Sequence, residues 1–117
     1  MPDFDQYQSP FSWRYASPAM RQVWSETHKR LLWRKAWVAL ARAEMGFGLI
    51  SPAQVADLEA HSGQVDIPRA LQIEAEIHHD LMAELRVFTE QCPLGGAILH
   101  LGATSTDIED NTDALRI

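Results

Sequence analysis

From Met20 onward the apolar residues of this chain recur every three or four positions, the spacing that lines one face of a helix. Ser17-Pro18 reads as an N-cap followed by proline at the first helical position, opening a short helix that carries Met20 and Trp24. Ser25 can cap the next helix and Glu26 suits its positive end, so a long helix is expected from about Glu26 to Met45. Trp33, Trp37, Leu40 and Ala41 form its stripe, and Gly46 and Gly48 stop it. Trp33 and Trp37 are read as core packing. Ser51-Pro52 repeats the cap-plus-proline start for a helix carrying Val55 and Leu58 and ending near Gly63. Asp66-Ile67-Pro68 opens a longer helical stretch, with Leu71, Ile77, Leu81, Leu85 and Phe88 on one stripe, closed by Pro93 and Gly95-Gly96. Thr106 and Glu109 make a T-x-x-E capping box, so a last helix is expected to begin near Asp107.

Residues 1–16 show no helical period and read as an extended arm ahead of a helical domain over 17–117. No segment alternates with period two and no hairpin dipeptide occurs, so the fold class is all-α. A domain rarely stops a few turns into a capped helix, so the chain is expected to be truncated.

Composition narrows the partners. The 117 residues carry a net charge of −6, which argues against nucleic acid because phosphate binding needs a basic surface. The N-terminus lacks the apolar core of a signal peptide, and no apolar run nears the ~20 residues of a membrane span. A single cysteine, Cys92, allows no internal disulfide and suits a reducing cytoplasmic setting.

Three clusters could do chemistry. Arg14-Tyr15 offers a planar fork of donors for phosphate or carboxylate beside a hydroxyl and a stacking face, or simply a surface arginine and a half-buried aromatic. His78-His79-Asp80 is expected inside a helix, where neighbouring positions point about 100° apart. The Asp can hold a His in one tautomer; the plain alternative is a solvated polar face. A metal is disfavoured because ligating histidines on a helix favour i, i+4 spacing. Around the last helix start, Gly102 allows close backbone approach, and Thr104 and Ser105 place hydroxyls and unpaired N–H groups where a carboxylate or phosphate binds. His100 could add a donor; the alternative is that the hydroxyls only cap the helix.

Taken together, the segments WRYASPAM, WRKAWVALARAEMGFGLI, EIHHDLMAEL and CPLGGAILHLGATSTDIEDNTDALRI resemble the adenylosuccinate lyase family of the fumarase/aspartase superfamily. The resemblance covers about residues 13–117. The CP…HLGATS…DNTD version is similar to the eukaryotic-type branch. Carboxymuconate cycloisomerases share a GATSQD-like run but typically lack H-D-x-M-A and the leading R-Y, so Arg14-Tyr15 and His79-Asp80 decide between them.

The resemblance implies β-elimination of fumarate from adenylosuccinate, giving AMP, and from the succinyl-carboxamide ribotide of purine synthesis, without metal or organic cofactor. By position, Arg14 and Tyr15 would hold the nucleotide phosphate. His78, His79 and Asp80 would line the site, with His79 touching substrate. Thr104 and Ser105 would bind a succinyl carboxylate, and His100 would support the phosphate or nucleotide. His78 falls where the family often has Arg or another polar residue. The family's general-acid histidine and mobile-loop serine, and the long helices of its homotetramer's central bundle, lie downstream of the matched segment. The expectation is therefore an N-terminal segment with half a binding site, no catalytic acid or base, and no useful activity alone. A related cycloisomerase-type enzyme and a non-catalytic all-α interaction module are the competing readings.

Overall fold

The computed structural model describes residues 3–117. Met1 and Pro2 of the expected arm lie outside the described residues. Among the described residues six α-helices follow in order: α1 (Pro18–Val23), α2 (Glu26–Gly46), α3 (Pro52–His61), α4 (Ile67–Ile77), α5 (Asp80–Gln91) and α6 (Ser105–Arg116). Short 3-10 turns occupy Pro10–Ser12, within the sequence expected to be extended, and Gly96–Ile98. No strand occurs among the described residues.

The expected starts form by the expected chemistry. Ser17 Oγ accepts the Met20 N–H at 3.2 Å and Ser25 Oγ accepts that of His28 at 3.1 Å. At α3, Ser51 Oγ accepts the Gln54 N–H while the Gln54 side chain accepts the Ser51 N–H, so two orphan amides are satisfied reciprocally. Asp66 caps α4 through the Arg69 N–H. Gly48, at φ 78°, supplies the left-handed residue just beyond α2.

Helix α2 is the spine. Trp33, Trp37, Val38 and Ala41 are buried against Val55 and Leu58 of α3, Leu81, Leu85 and Phe88 of α5, and Ile108 of α6. The loop after α5 lies so close to its neighbours that a side chain at Gly95 would begin 2.6 Å from Leu58 Cγ and 2.7 Å from the Gln54 carbonyl.

Beyond the turn at Pro10–Ser12, the structure departs from expectation in two places. The stretch after Asp66 is two helices, broken at His78 (φ 56°, ψ 38°, left-handed) and His79, so the His78-His79-Asp80 trio sits at a helix junction, not inside a helix. The break folds α5 back along α4 and buries Ala70, Ile73, Ala83 and Val87 in a second small core, with Ile77 packed against it. Arg69 meets Glu90 at 2.7 Å across the open end, as an antiparallel pair requires. A left-handed histidine costs about 1–2 kcal/mol, and burial of these apolar faces offsets it. Leu71, expected on the core stripe, is exposed, because the hairpin turns Ala70 and Ile73 inward instead. Helix α6 begins at Ser105, two residues before the expected start: Thr104 is the N-cap and Asp107, not Glu109, closes the box by accepting the Thr104 N–H at 2.9 Å.

Candidate functional site

The junction of α4 and α5 faces the start of α6. His79 is the N-cap of α5, where its Nδ1 accepts the Met82 N–H at 3.3 Å. A backbone N–H can only donate, so the neutral ring carries its proton on Nε2. That nitrogen lies 3.4 Å from Ser105 Oγ, so the Nε2–H donates weakly to the serine at the first position of α6. Two motifs 26 residues apart thus meet at one edge of the protein. In the first turn of α6 the Asp107 N–H turns back on the Thr104 carbonyl at 3.2 Å, while the Ser105 and Thr106 amides precede the first such bond, which makes this edge suited to an anion.

The other candidates take distinct places. Asp80 Oδ1 accepts the Leu81 N–H at 2.8 Å and stands 3.9 Å from His79 Nδ1, so the Met82 amide, not Asp80, sets the His79 tautomer. His78 is exposed. The Thr104 hydroxyl is 3.3 Å from Asp107 Oδ2 and shares a second 3.3 Å contact with Thr106. His100, left-handed at φ 63°, accepts the Trp37 indole N–H on Nδ1 at 3.0 Å. Arg14 stacks over Trp13 at 4.6 Å and Tyr15 packs against Phe11, both exposed. Arg21 ties this arm to α1 through the Ser12 carbonyl, and Trp24, just past α1, lies under Arg116 at the far end of α6. Ser105 and Arg116 are separated by about 16 Å of helix. Within one chain, then, Arg14 and Tyr15 are not brought to the His79–Ser105 edge.

Two polar centres escaped the sequence reading. Glu84, fully buried, accepts from Arg30 Nη1 at 3.1 Å and Arg34 Nε at 3.0 Å. Arg34 Nη1 also donates to the Gln91 side chain and the His61 carbonyl, and its guanidinium lies over Phe88. Burial pulls the Arg34 pKa below its ordinary value while Glu84 opposes the shift. The readable signal was arginine at two positions four apart beside the Trp33–Trp37 stripe. The second centre brings Asp57, His61 and Cys92 within 4.8 Å of one another. Its donors are engaged: Asp57 Oδ2 accepts the Leu94 and Gly95 N–H groups at 2.8 and 2.9 Å, and His61 Nδ1 donates to the Asp57 carbonyl at 2.7 Å. Burial, reinforced by Asp57, pushes the Cys92 thiol up to about 11, so it stays a protonated thiol at neutral pH. These bonds fasten the α5–α6 loop to α3 and leave a metal little to bind.

No family model matches the chain. Individual relatives do. It is 38% identical over 121 aligned positions to an adenylosuccinate lyase of Saccharomyces cerevisiae, which covers the whole chain and 25% of that protein. It is 43% identical over 110 positions to an adenylosuccinate lyase of Pyrococcus abyssi, covering 92% of the chain and 24% of the relative. With that of Schistosoma mansoni the identity is 36% over 119 positions, again the whole chain and 25% of the relative. The chain therefore spans about a quarter of the length of the curated relatives it matches. On a similarity that runs from end to end, the chain belongs to the adenylosuccinate lyase family, as a segment about a quarter as long as those relatives.

Proposed function

We propose that this segment is the N-terminal, substrate-binding section of a lyase that eliminates fumarate from adenylosuccinate, giving AMP, and from the succinyl-carboxamide ribotide of purine synthesis. The observation that carries the reading is the approach of His79 Nε2 to Ser105 Oγ, which brings an H-D-L-M-A histidine and an A-T-S serine to one edge. Elimination of this kind builds charge on a carboxylate, and preorganised N–H and O–H donors stabilise it. Ser105, the α6 N-terminus and Thr104 bind a succinyl carboxylate, and His79 touches the substrate beside them, with Asp80 and His78 lining the approach. Arg14 and Tyr15 take the phosphate, with His100 in support. Phosphate and succinyl groups lie at opposite ends of the nucleotide, so the residues that hold them need not meet.

The arm of residues 1–16 and the helical unit of 17–117 are two parts of this section. The general acid and base come from outside it, and the full protein is a cytoplasmic homotetramer. The elongated form of this segment supports a role as part of a larger body: its radius of gyration is 16.1 Å, against about 13 Å for a compact domain of this length. Large apolar side chains also stand exposed along the arm, α1 and the residue after it, including Phe11, Met20 and Trp24. Among the described residues no helix is long and apolar enough to cross a membrane.

The test is steady-state elimination by the intact protein with Arg14→Ala beside it. The reading expects fumarate release from adenylosuccinate and a KM raised about tenfold or more by Arg14→Ala, the scale of a lost charge-assisted hydrogen bond. An unchanged KM would remove Arg14 from the phosphate site, and turnover of a non-nucleotide dicarboxylate alone would favour a cycloisomerase-type enzyme.

A further inference from the structure

We propose that Trp37 is a positioning residue for this site: its indole fixes the neutral tautomer of His100 and so decides which ring nitrogen offers a proton to the substrate. The proposal rests on the reading that His100 supports the phosphate end of the nucleotide. Trp37 is 1% exposed, and its ring is held by Phe88 at 6.3 Å and by the α3 and α5 side chains of the core. The indole Nε1–H therefore points in a direction set by core packing. An apolar core position needs only a large side chain; tryptophan alone among the large apolar types adds a ring N–H that must find an acceptor when buried. The acceptor is His100 Nδ1 at 3.0 Å, with the rings near perpendicular at 78°.

Indole can donate but not accept. His100 Nδ1 must therefore carry a lone pair, and the proton of the neutral ring sits on Nε2, which has no protein partner among the described residues. The backbone is arranged for this contact. His100 holds a left-handed φ of 63°, unfavourable for a side chain of its kind, and the Ala103 N–H closes a turn on its carbonyl at 3.1 Å. His79 shows the same logic with a different donor: the Met82 amide takes Nδ1 and leaves Nε2–H for Ser105. Two histidines, both ahead of the α6 start in sequence, are thus set to present an Nε2–H, each by a group that can only donate.

The experiment is two-bond 1H–15N correlation of the histidine rings in labelled protein, wild type and Trp37→Phe, which keeps a large aromatic in the core but removes the donor. The expected result is a single Nε2–H tautomer at His100 in the wild type. In Trp37→Phe the Nδ1 resonance should shift toward a mixture of tautomers, while His79 keeps its pattern. An Nδ1–H form in the wild type, or a His100 pattern unmoved by Trp37→Phe, overturns the proposal. Should Trp37→Phe fold poorly, wild-type protein still decides. A Trp37 indole proton that resists exchange and moves in His100→Gln supports the bond, and one that exchanges freely overturns it. In the intact enzyme, Trp37→Phe should raise KM for the nucleotide about fivefold with kcat little changed, the scale of one hydrogen bond. A changed tautomer with unchanged KM overturns the positioning role. Absence of elimination in the wild type instead removes the functional reading beneath it, leaving the ring assignments to stand on their own.

Discussion

Helix α5 carries two polar centres that differ in kind. Toward its middle, Glu84 has each carboxylate oxygen on a buried arginine, and all three side chains are at most 2% exposed. At its N-terminus, His79 is 43% exposed and spends one nitrogen on its own helix, keeping the other for a long 3.4 Å contact. The first centre is nearly saturated, and Arg34 Nη2 is its fully buried nitrogen that lacks a partner. It joins α2 to α5 and has little left for a ligand. The second is open, with donor capacity facing outward at a helix N-terminus. Equal chemical richness in the sequence therefore does not mean equal function. What separates a fastening from a binding edge is whether the polar groups have already found their partners.

The comparison breaks first at Glu84. Glu84→Gln leaves Arg34 buried without a counter-charge and Arg30 with only the half-exposed Glu26, and a broken buried pair costs about 3–5 kcal/mol. The urea midpoint should fall sharply, which equilibrium unfolding reads directly. His79→Ala should do the reverse. It removes a helix cap worth about 1 kcal/mol, a small change in midpoint, yet in the intact enzyme it should cut kcat/KM about tenfold or more by removing a contact to a charged substrate. Equal loss of stability in the two variants would erase the distinction.

A third test turns on pH and the loop fastening. The Gly95 and Leu94 amides hold Asp57 below its ordinary value, so its contribution is fully present above the usual carboxylate range and is lost as pH falls through the lower, folded value. Cys92 runs the other way. Its pKa rises from 9.0 to about 11 in the fold, so the stability it contributes is present below 9 and is lost as pH climbs from there toward 11. Urea midpoints across pH should fall at both extremes, and Asp57→Asn should flatten the acid limb. The smallest effect belongs to Arg69, whose pair with Glu90 is about half exposed on both sides. Arg69→Ala should change stability by about 0.5 kcal/mol or less, and salt should shrink even that.

Local chemistry was legible in the sequence, and tertiary pairing was not. Ser17, Ser25 and Ser51 announce their helices because a cap and its amide lie three residues apart. The break at His78 carries no glycine or proline; only the burial of Ala70 and Ile73 against Ala83 and Val87 produces it. The start of α6 was ambiguous because Thr104-x-x-Asp107 and Thr106-x-x-Glu109 both suit a capping box, and the first pair won. The residue types of the candidate site were readable from their motifs. The His79–Ser105 contact needs the α4–α5 hairpin, and the separation of Arg14 from that edge needs the packing of α1 at the far end of α6.

The central claim is that the His79–Ser105 edge receives the succinyl end of the substrate. Its most direct test is a double-mutant cycle on fumarate release by the intact enzyme, with His79→Ala, Ser105→Ala and the pair, each variant checked for unchanged unfolding midpoint within about 1 kcal/mol. The account predicts that each single change raises the barrier and that the double change costs less than their sum, because both residues serve one group of the substrate. Wild-type turnover in either single variant, with the fold intact, would contradict it.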